Sequence, residues 1–191
     1  MTSKRPYQLL LIFLVLVISL TFYFKPELVL SGKMLYNIGT SKLKAGDHGD
    51  YHDEDKVRSA TSFFEKAVKK GFSKRELFGK LSYCYLLSND NRDAERILTV
   101  GLNYYPDDSE FYFERGNCRK ELRNFNEAFM DYDKVITIDK NFKYLDNVIY
   151  YRGAMRYLLG DTVNANLDRQ DAQKITDHEL RTYADYCQLW H

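Results

Sequence analysis

The sequence predicts an all-α chain, a stack of helical hairpins behind one apolar N-terminal helix. Two observations carry this. Ala60, Ala94 and Ala128 stand 34 residues apart, and each is followed four residues later by a large side chain, Phe64, Leu98 and Tyr132. Ser82 and Gly116 repeat at the same interval, as do Cys84 and Cys118. A small residue returning at one register is what closely packed antiparallel helices require, because a larger side chain pushes their axes apart. The second observation is the stretch from Leu9 to Phe24, sixteen residues without a charge, preceded by Lys4 and Arg5. Composition agrees with both: 45% hydrophobic residues, with 16 Tyr and 12 Phe against three prolines, describe packed helices and not disorder. With 28 basic and 27 acidic side chains the net charge is +1, which withdraws support from nucleic-acid binding.

The N-terminal element is read first. Sixteen helical residues rise about 24 Å, and Tyr7 and Gln8 bring this to about 27 Å, against a hydrocarbon core of about 30 Å. Tyr7, Tyr23 and Lys25 suit the interfaces on either side. Residues 1–31 are therefore expected to be a membrane anchor and short linker, in the bilayer through residues 7–24. A cleaved signal peptide is the alternative, but Lys25, Pro26 and Glu27 follow the run, and Val29-Leu30-Ser31 is a poor cleavage site. No Cys follows the run, which excludes a bacterial lipoprotein. The short basic tail favours an N-terminus in the cytoplasm and the rest of the chain outside it, periplasmic in a bacterium. Lys25 and Lys33 oppose that bias, and an organelle anchor with a cytosolic domain is the other orientation.

The repeats come next. Phe78, Leu81, Ser82, Tyr85, Ala94, Leu98 and Pro106 fall at the spacings of the tetratricopeptide (TPR) pattern, so that residues 75–108 resemble one TPR repeat. Residues 109–145 keep Tyr112, Gly116, Ala128 and Tyr132 but place Arg115, Arg119 and Lys140 where Leu, Tyr and Pro are usual. Residues 146–175 carry Ile149, Gly153, Gly160-Asp161, Ala165 and Ala172 at a shift of 37, with Arg169 in the aromatic slot. Residues 33–73 supply Leu35, Ile38, Gly39 and Gly46, then Ala60, Phe64 and Ala67, with nine residues inserted in the turn. The resemblance implies a right-handed superhelical solenoid of about four TPR helix-turn-helix units over residues 32–175. Residues 176–191 are expected to form a C-terminal capping helix. Thr176 and Glu179 make a candidate capping box, and Leu180, Tyr183, Ala184 and Cys187 follow at helical spacing up to Trp190. A homodimer contact is the alternative for this segment.

Catalytic machinery is not expected. The chain has no nucleophile elbow, phosphate loop or HExxH pattern, so no catalytic residue, cofactor or metal is assigned. The inserted turn from Asp47 to Asp55 holds five acidic residues with His48 and His52. Gly49 and the dense like charges read as a solvated loop in preference to a metal site. Cys84 and Cys118 read as buried packing, and Cys187 as unpaired.

In the TPR family the first helices of successive units line a concave groove. By resemblance its slots are Tyr36 and Thr40, Gly79 and Tyr83, Phe113 and Asn117, then Tyr150 and Ala154, with Tyr157 one turn further on. The candidate partner residues are Tyr36, Tyr83, Phe113, Asn117, Tyr150 and Tyr157, an amphipathic surface for an extended peptide or a helix. Several of these rings could instead fill space between helices. The Lys, Asn and Arg clamp with which chaperone-binding members hold a terminal carboxylate is missing, since Tyr36, Thr40, Gly79 and Tyr83 occupy its slots. The implied function is a membrane-anchored adaptor for a protein or peptide partner, supporting an envelope or membrane-associated assembly. The alternative is a structural subunit, its repeats buried in an obligate complex or homodimer.

Overall fold

The computed structural model describes residues 5–25, 29–47 and 52–190. It divides into two compact bodies, residues 1–73 and 74–191. The first holds α1 (Arg5–Phe24), α2 (Gly32–Ala45) and α3 (Glu54–Lys69). The second holds α4 (Arg75–Leu87), α5 (Asn91–Tyr104), α6 (Ser109–Glu121), α7 (Phe125–Ile138), α8 (Leu145–Leu158), α9 (Thr162–Gln173) and the single turn α10 (Tyr183–Tyr186).

Helix α1 is 20 residues long and its side chains from Leu10 to Leu20 are exposed. Among the described residues no helix is long and apolar enough to cross a membrane, so the expected transmembrane helix is not shown. The physical margin is narrow: the uncharged stretch rises only about 24 Å against a core of about 30 Å. In the hairpin α2/α3, Gly39 admits the second helix, because a Cβ there would stand 2.6 Å from the Phe64 ring. Part of the acidic insert is a helix start. Asp53 caps α3 by accepting from the Lys56 amide at 3.1 Å, and Glu54 and Asp55 follow in the first turn, where carboxylates complement the helix dipole. His48 to Tyr51 lie outside the described residues.

The second body repeats one hairpin three times. Each of its three tight turns passes through a left-handed residue, Asn89 (φ 57), Arg123 (φ 61) and Gly160 (φ 91), followed by the N-caps Asp90, Asn124 and Asp161. In α6/α7 the small-residue slot works as the spacing predicts: a Cβ at Gly116 would stand 2.8 Å from the ring of Tyr132, which is fully buried.

The arginines at 115 and 119 are not defects in the repeat. Arg115 donates through Nη2 and Nε to Asp131 at 2.6 and 3.0 Å, and Arg119 donates to the same carboxylate at 2.8 Å. Thr99 and Glu95 take the remaining guanidinium donors at 3.1 and 2.8 Å. The arrangement recurs 37 residues later, where Arg152 and Arg156 both donate to Asp168 at 2.6 and 2.9 Å and Arg152 also reaches Asp133 at 2.7 Å. Asp131 and Asp168 are each 2% exposed. In α4/α5 the equivalent three positions are Leu81, Tyr85 and Ile97, all buried, the Tyr85 hydroxyl accepting from Arg96 at 3.3 Å. One layer of the hairpin is thus filled by uncharged side chains once and by an Arg-Arg-Asp cluster twice.

The C-terminal segment departs from the expected continuous capping helix. Gln173 receives the Leu180 amide at 2.9 Å and donates to the His178 carbonyl at 2.9 Å, which holds residues 178–180 out of helical geometry. Thr176 is spent on His178 at 2.6 Å, and the N-cap is Thr182, which accepts from the Asp185 amide at 3.2 Å. The segment nonetheless covers the last hairpin. Arg169 stands in the aromatic slot of α9, and Tyr183 supplies the missing ring, packing where a Cβ at Gly153 would collide with its hydroxyl. That hydroxyl donates to the Tyr150 carbonyl at 3.0 Å.

These clusters make opposite predictions for partial and complete removal. Asp131→Ala removes the carboxylate shared by two largely buried guanidinium groups, leaving Arg115 with Thr99 and Arg119 with Glu95, and is expected to cost about 3 kcal/mol in urea unfolding of the chain. Replacing the whole cluster by its α4/α5 counterpart, Arg115→Leu with Arg119→Tyr and Asp131→Ile, is expected to leave stability within about 1 kcal/mol of the parent or above it.

Candidate partner groove

The groove is built from the inner faces of α4 and α6. Gly79 leaves its floor open, since a Cβ there would meet only the Phe111 ring edge, at 3.8 Å. The result is a cavity of about 400 Å³ walled by Gly79, Lys80, Tyr83 and Leu86 from α4 and by Glu110, Phe111 and Glu114 from α6. Arg75 ties the two helices together at one end. Its guanidinium donates to Asp108 at 2.5 and 3.1 Å and to Glu110 at 2.5 Å, and lies 4.9 Å from the centre of the Phe111 ring. Hydrogen bonding to Asp108, and then to Glu110, holds the guanidinium even further above the usual arginine range against the effect of burial.

Glu114 differs from its neighbours. It is half-buried, and among the described residues no hydrogen bond or ion pair engages its carboxylate. Burial, and secondarily the charge of Glu110, push its carboxyl above the ordinary range, with no cation acting the other way. An ionised carboxylate held like this opposes folding at neutral pH.

The six residues named from the sequence separate into three groups. Tyr83, 44% exposed, lines the cavity as expected. Phe113 is half-buried among Phe142, Tyr144 and Tyr132, at ring separations of 5.4, 6.0 and 6.4 Å, and Asn117 spends its carbonyl on the Tyr132 hydroxyl at 2.9 Å. Tyr150 is only 7% exposed beneath Tyr183 and Tyr186, with ring centres 5.0 and 5.2 Å away. Tyr157 is half-buried 6.1 Å from Tyr183. Tyr36 belongs to the other body, packed against Phe72 and Phe64 at 5.2 and 5.9 Å. The rings of Phe113, Tyr150 and Tyr157 thus have aromatic neighbours within the fold, which the C-terminal segment supplies for the last two. Glu110 and Glu114, which the slot pattern does not name, also line the cavity, and Glu114 stands one 34-residue period after Lys80.

The thiols add no chemistry. Cys84, Cys118 and Cys187 are buried and form no disulfide, and burial pushes Cys118 up to about 12 and Cys187 to about 11, so neither of these two is a thiolate at neutral pH. Lys120 is also committed, reaching the Tyr186 hydroxyl at 3.4 Å and lying 4.6 Å from the Tyr151 ring centre.

No protein-family model matches the chain, and no curated protein does. Solved structures do match. YrrB, a TPR protein with an unusual peptide-binding site, is 18% identical at a TM-score of 0.65, covering 82% of this chain and 74% of that one. MamA from Desulfovibrio magneticus RS-1 is 15% identical at a TM-score of 0.60, covering 78% of each chain. The first TPR of Spaghetti (RPAP3), bound to the HSP90 peptide SRMEEVD, is 18% identical at 0.54, covering 68% of this chain and 94% of that one. The likeness, taken with the repeating hairpins, gives the chain the fold of the tetratricopeptide-repeat proteins.

Proposed function

We propose that the chain is a non-enzymatic scaffold that captures a protein partner in the α4/α6 groove and is tethered to a membrane by α1. The observation that carries the first part is the open cavity of about 400 Å³ with the exposed Tyr83 on its wall. An aromatic ring beside an unfilled floor suits an extended segment of another chain. Two of the similar structures, YrrB and the RPAP3 domain, are described as a peptide-binding protein and a peptide complex, which supports the same reading.

The tether rests on α1. A row of exposed Leu, Ile, Val and Phe side chains over 20 helical residues has no use in water. With Tyr7 and Gln8 included the apolar stretch rises about 27 Å, so a span by α1 would require local thinning of a hydrocarbon core of about 30 Å. The basic tail favours an N-terminus in the cytoplasm and the repeats outside it, where a tethered scaffold would support an envelope assembly.

A second reading, a structural subunit, is favoured by one observation. The outer face of α9 exposes Val163 (73%) and Leu167 (52%) at helical spacing, as a surface covered in a larger complex would.

Gly79→Gln separates the groove from that face. The longer side chain fills the cavity floor and replaces a mid-helix glycine, so partner capture in mild-detergent co-purification is expected to fall at least about tenfold while the thermal midpoint holds or rises. Undiminished capture would move the subunit reading ahead. For the tether, the full chain is expected in the carbonate-resistant membrane fraction, and Leu14→Glu with Ile18→Lys is expected to release it. Full release of the unaltered chain by carbonate would remove α1 from the account.

A further inference from the structure

The groove carries information about the chemistry of its occupant. Its walls include five charged side chains, Arg75 and Lys80 against Glu76, Glu110 and Glu114, which leave one net negative charge. Arg75 is paired with Asp108 and Glu110. Lys80 is half-buried, and among the described residues no ion pair joins it to Glu114. What remains towards the α6 side is a desolvated carboxylate without a counter-charge, facing a cavity that also holds an aromatic ring. An anion left in this state weakens the folded chain, and a cation seated beside it removes that penalty.

We propose that the α4/α6 groove takes a lysine or arginine side chain from an extended segment of the partner, with Glu114 as its carboxylate and Tyr83 as its aromatic wall. This rests on the groove reading above and names the partner's chemistry. A planar guanidinium matches the site best, since it pairs with a carboxylate through a fork of donors and stacks on an aromatic face. An acidic peptide is the wrong partner, because it would set a second charge of the same sign against Glu110 and Glu114. Lys80, on the α4 side, is left to meet a backbone carbonyl of the bound segment.

The test is a fluorescence-polarisation panel on the full chain in mild detergent, using labelled twelve-residue peptides of one Ser/Thr/Ala background with a central Arg, Lys, Met or Glu. The Arg and Lys peptides are expected to bind at least about tenfold more tightly than the Met peptide, with Glu weakest. Glu114→Gln is expected to abolish that preference without changing the Met peptide, and Glu114→Asp to retain most of it. The thermal midpoint of Glu114→Gln is expected to hold or rise, because the variant removes a desolvated charge.

Three results overturn the proposal. They are equal binding of the Arg and Met peptides, a preference for Glu, and an unchanged preference in Glu114→Gln. A fall in the midpoint of Glu114→Gln would do the same, since it assigns the carboxylate a structural role. Gly79→Gln distinguishes the levels: if it weakens every peptide while Glu114→Gln alters nothing, the groove stands and the cationic partner falls. If neither variant affects any peptide, or no peptide binds, both fall together.

Discussion

The close approach of the two helices within a hairpin is the constraint from which the rest follows. Three of these approaches are made at a glycine against one aromatic ring, Gly39 against Phe64, Gly116 against Tyr132 and Gly153 against Tyr183 of the C-terminal segment, while α4/α5 has Ser82 in that slot. Axes this near cannot drift without opening a void beside a buried ring, and such voids cost several kcal/mol. The third pair has a consequence for function. Its ring comes from the C-terminal segment because α9 offers Arg169 in that slot, and in reaching Gly153 the segment also covers Tyr150. Closing the last hairpin thus buries most of Tyr150, while the α4/α6 cavity stays open.

The layer beside that contact is solved in two chemistries. Leu81, Tyr85 and Ile97 fill it with uncharged side chains, whereas Arg115, Arg119 and Asp131, then Arg152, Arg156 and Asp168, fill it with ions. A buried carboxylate is tolerable only when its lone pairs are met, and here two guanidinium forks supply the donors. Such a cluster adds little net stability over an apolar one but makes each member indispensable once the others are present. Glu114 is the contrasting case. It lies on the groove side of the same helix α6, where no arginine reaches it.

How much was legible follows the same physics. The hairpins were readable because a small residue and a ring separated by a fixed period are required by packing, and Gly116 with Tyr132 meet as their spacing indicates. Arg115 and Arg119 registered only as departures from the usual Leu and Tyr, because the comparison was with an apolar pattern. The compensating signal, Asp131 and Asp168 at one distance behind paired arginines 37 residues apart, lies across positions that the pattern does not link. The groove was half legible. A slot pattern found Tyr83 and Gly79, but it could not show the aromatic neighbours of Phe113 and Tyr150, since Phe142 and Tyr144 lie in the connection after α7 and the other rings in the C-terminal segment, none of them at a position of the pattern.

The central claim is that a partner enters between α4 and α6. Hydrogen–deuterium exchange of the full chain, with and without its captured partner, tests this most directly. The account predicts new protection confined to residues 75–86 and 109–114, with α8 and residues 176–190 unchanged because their own contacts already cover them. Protection that appears on α9 or within residues 5–25 and spares α4 and α6 would contradict it.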